Sequence, residues 1–300
     1  MGSTPFTVTV PATTANLGPG FDSIGMALSL YMTVNVEPAE RWTVVYEDQE
    51  MKGLPTDEDN LIVQTIQRVV RRTGSETIPC TLRVKSDIPL GKGLGSSAAA
   101  IAAGVEIADH LHGLKLNQKE KMWFGVGIEG HADNVTAAIA GGVTISFYDH
   151  SSLEVMKFDA PPIGAVVLVP PVEMKTGDSR GLLPSHLDHN KATEGSAASS
   201  LMAAALAKGE WSLVGRMMDH DIFHEPYRKK MFPDFDAVRE ESHAHGAYGM
   251  TLSGAGPSLF VAVHEGREEE AARLLEEKFP YYTCIAVTPV AEGATVVESR

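Results

Sequence analysis

The sequence predicts an α+β fold in two domains, and three features predict it. The chain has 300 residues, more than one hydrophobic core normally serves, so two domains are expected. A glycine-rich stretch around Gly91, Gly93 and Gly95 opens a run of strong helix formers from Ala98 to Ala108. The C-terminal half alternates strand-type and helix-type segments, as a two-layer α+β domain does. A polar, serine-containing stretch at Asp149–Asp159 suggests the division, with domains over 1–155 and 156–300.

Composition narrows the function classes. Hydrophobic residues make up 43% and charged residues 21%, an ordinary balance for a globular enzyme. The net charge of −14 argues against nucleic acid or an anionic membrane as the main partner. An anionic small molecule stays open, because local cations can dominate a site. Cys80 and Cys284 have no CxxC neighbour, so both are expected to be buried thiols rather than metal ligands. No apolar run reaches membrane-spanning length, and the first residues lack a signal-peptide core. A cytoplasmic protein is expected, with Met1–Thr4 as a flexible leader. A homodimer is the default expectation, since most soluble oligomers are two-fold dimers.

In order, Phe6–Val10 alternates like a strand. Pro11–Asp22 is rich in proline and glycine and reads as a shaped turn carrying Asn16 and Asp22; local backbone capping by these two is the plainer reading. Tyr31–Val36 and Trp42–Tyr46 read as strands joined by a turn at Pro38. Asp57–Asn60 precedes Leu61–Arg71, an apolar-periodic helix expected to carry its acids in the first turn, and Asn60 is its simplest N-cap. Thr81–Lys85 is a strand leading to the glycine loop. Helices follow at Ser97–His112 and Gln118–Glu129. Glu129, His131, Asp133 and Asn134 then interrupt a small, apolar segment that ends in a strand at Val143–Phe147. Either Glu129 is a carboxylate ligand for Mg²⁺, or a helix ends there and Asp133 caps the next. Beyond the division lie a strand at Gly164–Val169, a polar loop from Met174 to Pro184, and helices at Ala192–Ala207 and Phe235–His245. A second glycine loop, Gly249–Ser258, runs into a strand at Leu259–Val263. A helix at Glu268–Phe279 and a strand at Cys284–Val290 complete the alternation. Arg180 and Arg228 read most simply as surface charge.

The stretch Ile88–Ala100 carries the clearest chemistry. Its glycines let backbone approach a ligand without Cβ clashes, Ser96 can cap the following helix, and a helix N-terminus suits phosphate. A Walker A loop requires Gly-x4-Gly-Lys-Ser/Thr, but Lys92 precedes the last two glycines. The loose dinucleotide pattern Gly93-x-Gly95-x-x-Ala98 fits. However, the strand it needs is displaced by a proline-containing segment, and polar Asn117–Met122 follows where a second strand belongs. Both readings are rejected. The loop alone fits either a turn capping a core helix or a phosphate cradle.

Three stretches taken together, Pro11–Asp22, Pro89–Ala100 and Ser253–Ser258, resemble the signature segments of the GHMP small-molecule kinases, in order and across nearly the whole chain. His131–Val135 and His224–Arg228 are most similar to the homoserine kinase branch of that family. Ala132 departs from a proline common after this histidine, and Thr136-Ala137 from a common Ala-Pro.

The resemblance implies an N-terminal domain like domain 2 of ribosomal protein S5 and a ferredoxin-like C-terminal domain, with ATP and substrate in the cleft between them. It implies that Pro89, Leu90, Gly91, Lys92, Gly93, Leu94, Gly95, Ser96 and Ser97 wrap the triphosphate. Ser97 and Glu129 would hold Mg²⁺, Asn60 would lie at the adenosine end, and Ser253, Gly254 and Gly256 would shape the cleft from the other domain. The implied substrate is L-homoserine, phosphorylated on its hydroxyl on the way to threonine. Its carboxylate calls for arginine forks, with Arg180 and Arg228 as candidates. Asn16, Asp22 and Asn134 would accept from its ammonium and hydroxyl, with His131 on the same wall. Some relatives place an aspartate base where Asn134 stands, so no strong protein base is expected here. Asp22 is the nearest carboxylate, and Lys92 and Thr176 are candidates to steady charge on the transferring group. Two alternatives stay open: another GHMP kinase of the mevalonate type, or a catalytically silent sensor of the same fold.

Overall fold

The computed structural model describes residues 4–48, 51–172, 179–232 and 234–298. Two sheets organise the chain. The first is built from β1 (Phe6–Ala15), β2 (Ile24–Pro38), β3 (Thr43–Tyr46), β4 (Cys80–Ser86), β5 (Val143–Tyr148), β6 (Leu153–Phe158) and β11 (Thr295–Glu298). Its main order is β11-β1-β2-β4-β3, with β5 and β6 continuing from the other end of β2. β1 continues well past the expected Val10. A register shift between Pro11 and Ala12 accommodates a proline that has no N–H for the ladder, so half of the expected turn is buried strand. β2 likewise begins at Ile24 rather than Tyr31. β3 pairs in parallel with β4 instead of forming a hairpin with β2. The polar stretch expected to divide the domains holds β6, which pairs antiparallel with β5. The expected boundary at 155 therefore falls inside a strand of the first sheet.

Four helices cover one face of this sheet: α1 (Leu61–Arg72), α2 (Ser96–His112), α3 (Gln118–Glu129) and α4 (Asp133–Ala140). Asn60 caps α1 as expected, its Oδ1 accepting from the Ile62 N–H at 3.0 Å. α2 is buried almost all round because its alanines let α1, α3 and β1 approach closely. One charged cluster is sealed between α2 and α3. Lys121 Nζ donates to buried Glu106 at 2.6 Å and reaches Asp109 at 2.9 Å. Burial pushes the Glu106 carboxyl above its ordinary pKa, and Lys121 pulls it part of the way back. Lys121→Met is expected to cost about 3 kcal/mol at pH 8, because it leaves a buried carboxylate unpaired. Glu106 takes up its proton in the folded state before the unfolded chain does. The penalty should therefore shrink as pH falls towards the unfolded carboxylate range. Urea unfolding of both proteins at pH 8 and pH 4.5 checks this; a pH-independent difference would contradict it.

The second sheet has order β10-β7-β9-β8, all antiparallel, from β7 (Ile163–Val169), β8 (Gly249–Leu252), β9 (Leu259–His264) and β10 (Thr283–Val287). Helices α5 (His189–Lys208), α6 (Trp211–Met218), α7 (Glu225–Arg228) and α8 (Phe235–Ala244) connect β7 to β8, and α9 (Glu268–Lys278) connects β9 to β10. This is the ferredoxin-like arrangement. Cys80 is buried and Cys284 half-buried; burial pushes both thiols up to about 12. Among the described residues no helix is long and apolar enough to cross a membrane.

Candidate active site

A cleft of about 480 Å³ runs between the two sheets, walled by the β1–β2 turn, the glycine loop, the α3–α4 junction and the second glycine loop. The first loop is fixed from three sides. Thr13 N–H donates to the Leu94 carbonyl at 3.1 Å, Ser258 N–H donates to the Lys92 carbonyl at 3.2 Å, and Ser253 Oγ donates to the Gly93 carbonyl at 2.7 Å. The closeness of these strands dictates two glycines. Gly93 and Gly95 have φ of 75° and 73°. A Cβ on Gly93 would lie 2.3 Å from the Ser253 carbonyl oxygen, and one on Gly95 would lie 2.0 Å from Thr13 Oγ1.

Ser96 does not cap the helix. Gly95 is the N-cap residue of α2, and no side chain bonds to the first turn. The helix starts with Ser96 and Ser97 on the cleft wall, so its leading N–H groups have no side-chain acceptor and suit an anion. Ser97 Oγ meets both Glu129 oxygens, at 2.7 and 2.8 Å. Among the described residues no group of three His, Cys, Asp or Glu converges. This hydroxyl–carboxylate pair, with phosphate oxygens beside it, is nonetheless an oxygen donor set of the kind Mg²⁺ takes.

The residues expected to hold the substrate lie in the same cleft, with partners of their own. Arg180 grips Asp22 through both arms, Nη1 to Oδ2 at 3.0 Å and Nη2 to Oδ1 at 2.6 Å. Arg228 is buried, and burial, then the neighbouring Arg180 charge, bring its pKa down to about 10. It donates to two carbonyls, Ser179 at 3.4 Å and Gly254 at 3.3 Å. Among the described residues no carboxylate lies within ion-pair distance of it. Asn16 departs from its expected role as a free acceptor. Its Oδ1 accepts from the Asp22 N–H at 3.0 Å and its Nδ2 donates to the Gly254 carbonyl at 3.0 Å, so it holds the turn and ties the two halves together. Asn134 Oδ1 accepts from Thr13 Oγ1 at 2.7 Å. His131 Nδ1 lies 3.1 Å from Asp133 Oδ1. Burial alone would lower its pKa, but Asp133 and then Glu129 outweigh this and the net direction is upward.

Other expected residues sit differently. The Lys92 ammonium donates to the Pro171 and Val172 carbonyls at 3.0 and 2.7 Å, so it bridges to the end of β7. Asn60 lines the cleft, yet its amide is spent on the α1 cap, Tyr46 and the Pro55 carbonyl. Pro89, Leu94 and Ser253 support the wall without lining it. Thr176 lies outside the described residues. Phe21 and the apolar end formed by Met32, Tyr46, Met51 and Val84 line the cleft as well, and Thr13 supports it through its bond to Asn134, none of them expected at the site. These read as core or as turn residues, and nothing local distinguishes them.

The chain matches the model of the GHMP kinase N-terminal domain over residues 60–142 and that of the GHMP kinase C-terminal domain over 202–280. It is 41% identical to a homoserine kinase from Bacillus velezensis, over 97% of this chain and 94% of that one. The chain belongs to the GHMP kinase family. Another relative, a homoserine kinase from Bacillus licheniformis, is 44% identical over 92% of this chain and 90% of its own. A crystal structure of a homoserine kinase from Cytophaga hutchinsonii superposes with a TM-score of 0.88 at 30% identity, covering 98% of both chains. A mevalonate kinase with a TM-score of 0.72 and 16% identity shares the fold. The glycine loop, the second glycine loop and the α3–α4 junction are thus parts of a GHMP kinase cleft.

Proposed function

We propose that the chain transfers the γ-phosphoryl group of ATP to the hydroxyl of L-homoserine, giving ADP and O-phospho-L-homoserine. The observation that carries this reading is Arg228. A buried guanidinium held by carbonyls alone calls for an anion from a ligand, and Asp22 stands beside it as an acceptor for an ammonium. A zwitterion with a primary hydroxyl answers both. The relatives named homoserine kinase support the same substrate.

In this reading the first sheet and its helices hold ATP, with the phosphates on the loop N–H groups and the adenine among the apolar side chains near Tyr46. The segments that connect the strands of the second sheet supply Arg180 and Arg228 for the substrate carboxylate. Ser97 and Glu129 would hold Mg²⁺, which would supply positive charge to offset that of the phosphates. Asn134 orients the substrate hydroxyl. Asp22 takes the ammonium, for which Arg180 must yield its grip. A carboxylate so engaged serves binding rather than proton abstraction. In a loose phosphoryl-transfer transition state the hydroxyl proton leaves late and can pass to a phosphoryl oxygen.

ADP release measured with homoserine, mevalonate, galactose and shikimate tests the substrate. Release with homoserine alone supports the reading, whereas ATP binding with no release in any arm identifies a sensor. Asp22→Asn is expected to raise the homoserine KM about 10- to 100-fold, the loss of one charge-assisted contact, with kcat changed far less. Abolished turnover at unchanged homoserine affinity would make Asp22 the base.

A further inference from the structure

The stretch His224–Arg228 contributes Arg228 to the cleft, but the histidine that opens it does not line the cleft. His224 is wholly buried. Its Nε2 lies 3.1 Å from the Gly18 carbonyl and 3.2 Å from Asp221 Oδ2. A carbonyl can only accept, so Nε2 carries the hydrogen. Nδ1 is buried with no hydrogen-bond partner, which suits a neutral ring with a bare acceptor better than a charged ring with a stranded N–H. Burial also pushes the pKa of this imidazole down.

The ring does more than bond to the turn. It stacks on Phe21, centroids 5.3 Å apart and planes 26° from parallel. Phe21 in turn has both guanidiniums over it, Arg180 at 5.5 Å and Arg228 at 5.6 Å from the ring centroid. Asp221 steadies the base of this stack, accepting from the N–H groups of Phe223 at 2.7 Å and Glu225 at 2.6 Å. His224 thus touches the Asn16–Asp22 turn twice, at Gly18 and at Phe21, from the segment that also bears Arg228.

We propose that His224 is a positioning residue for substrate: through Gly18 and the Phe21 ring it sets where the two arginine forks stand relative to Asp22. The inference rests on the homoserine reading for its kinetic test but not for its structural one. Specificity for a small zwitterion needs its cation and anion sites at one fixed separation. A ring clamped from behind by an uncharged imidazole provides a rigid partition on which both guanidiniums rest.

Three variants test this. His224→Leu removes the bond to Gly18, His224→Gln keeps an N–H donor near the Nε2 position, and Phe21→Leu removes the shared ring while leaving His224 in place. His224→Leu and Phe21→Leu are each expected to raise the homoserine KM about tenfold with the ATP KM unchanged. His224→Gln should restore most of the binding. Equal rises in both KM values that track a loss of thermal stability would mark a merely structural histidine and overturn the proposal. So would an unchanged homoserine KM in Phe21→Leu, which decides the matter if His224→Leu does not fold. Wild-type protein inactive on homoserine would sink the substrate reading alone. Crystals of the ligand-free variants then give the answer: Arg180 and Arg228 are expected to shift relative to Asp22, and guanidiniums left in place overturn the proposal whatever the acceptor is.

Discussion

Glu129→Gln is expected to lower kcat/KM about 100-fold or more and to raise the Mg²⁺ concentration giving half-maximal rate at least about tenfold. The substitution keeps the shape of the side chain and one acceptor oxygen, but removes the charge on which the proposed cation site at Ser97 and Glu129 depends. Glu129 ends α3 with its side chain 15% exposed on the cleft wall, and the amide fills the same space, so the melting temperature should hardly move. Ser97→Ala removes the other oxygen and should act in the same direction. Because the two side chains meet at 2.7 Å, the double variant should be far from the sum of the single effects. Steady-state rates across a Mg²⁺ titration check all three proteins. An unchanged Mg²⁺ dependence in Glu129→Gln would remove this pair from the metal site.

The second large effect is expected from a single methyl group. Gly95→Ala would place a carbon 2.0 Å from Thr13 Oγ1 and 3.2 Å from Asn134 Oδ1, at a residue with φ of 73°. Those two oxygens are the ends of the Thr13–Asn134 hydrogen bond, so the methyl strikes the link that joins β1 to α4 across the cleft floor. A left-handed alanine costs about 1–2 kcal/mol, and the overlap adds about 1–3 kcal/mol of overpacking. The larger loss is functional. A loop moved by about 1 Å misplaces the phosphate, and misplacement of that size costs on the order of 100-fold in rate. Calorimetric titration with ATP and urea unfolding separate the two losses. Full ATP affinity in a Gly95→Ala protein of normal stability would show that the loop is looser than its contacts imply.

Local signals identified elements well where the signal itself is local. Asn60 before an apolar-periodic run marked the start of α1, and the alanines after Gly95 marked α2. Signals failed where pairing is set from a distance. Pro11 reads as a strand breaker, yet a register shift lets β1 pass through it. The serines of 149–152 read as a linker, yet β6 begins at Leu153. The same limit applies to the site. Asp22 and Arg180 lie 158 residues apart and grip one another; no spacing rule links them, and only the family resemblance suggested that they belong together. It also suggested free acceptors at Asn16 and Asn134, where the structure has amides already engaged. Lys92 illustrates a further gap: a lysine inside a phosphate loop invites a catalytic role, while its ammonium is taken by carbonyls from another element.

The pairing of β1 with β11 also bears on how the protein is made. Thr9 finds Thr295, and Phe6 finds Glu298, so β1 waits for a strand translated roughly 290 residues after it. At about 5–20 residues per second that wait is on the order of 15–60 s. Throughout it the outer edge of β1 over Phe6–Thr9 lacks its native neighbour and offers a row of open backbone groups to other nascent chains. The ferredoxin-like sheet, by contrast, draws all its strands from within residues 163–287 and can close first. The half built on the larger sheet is thus the last to be sealed, and β1 is the segment a ribosome-bound chaperone would have most reason to shield.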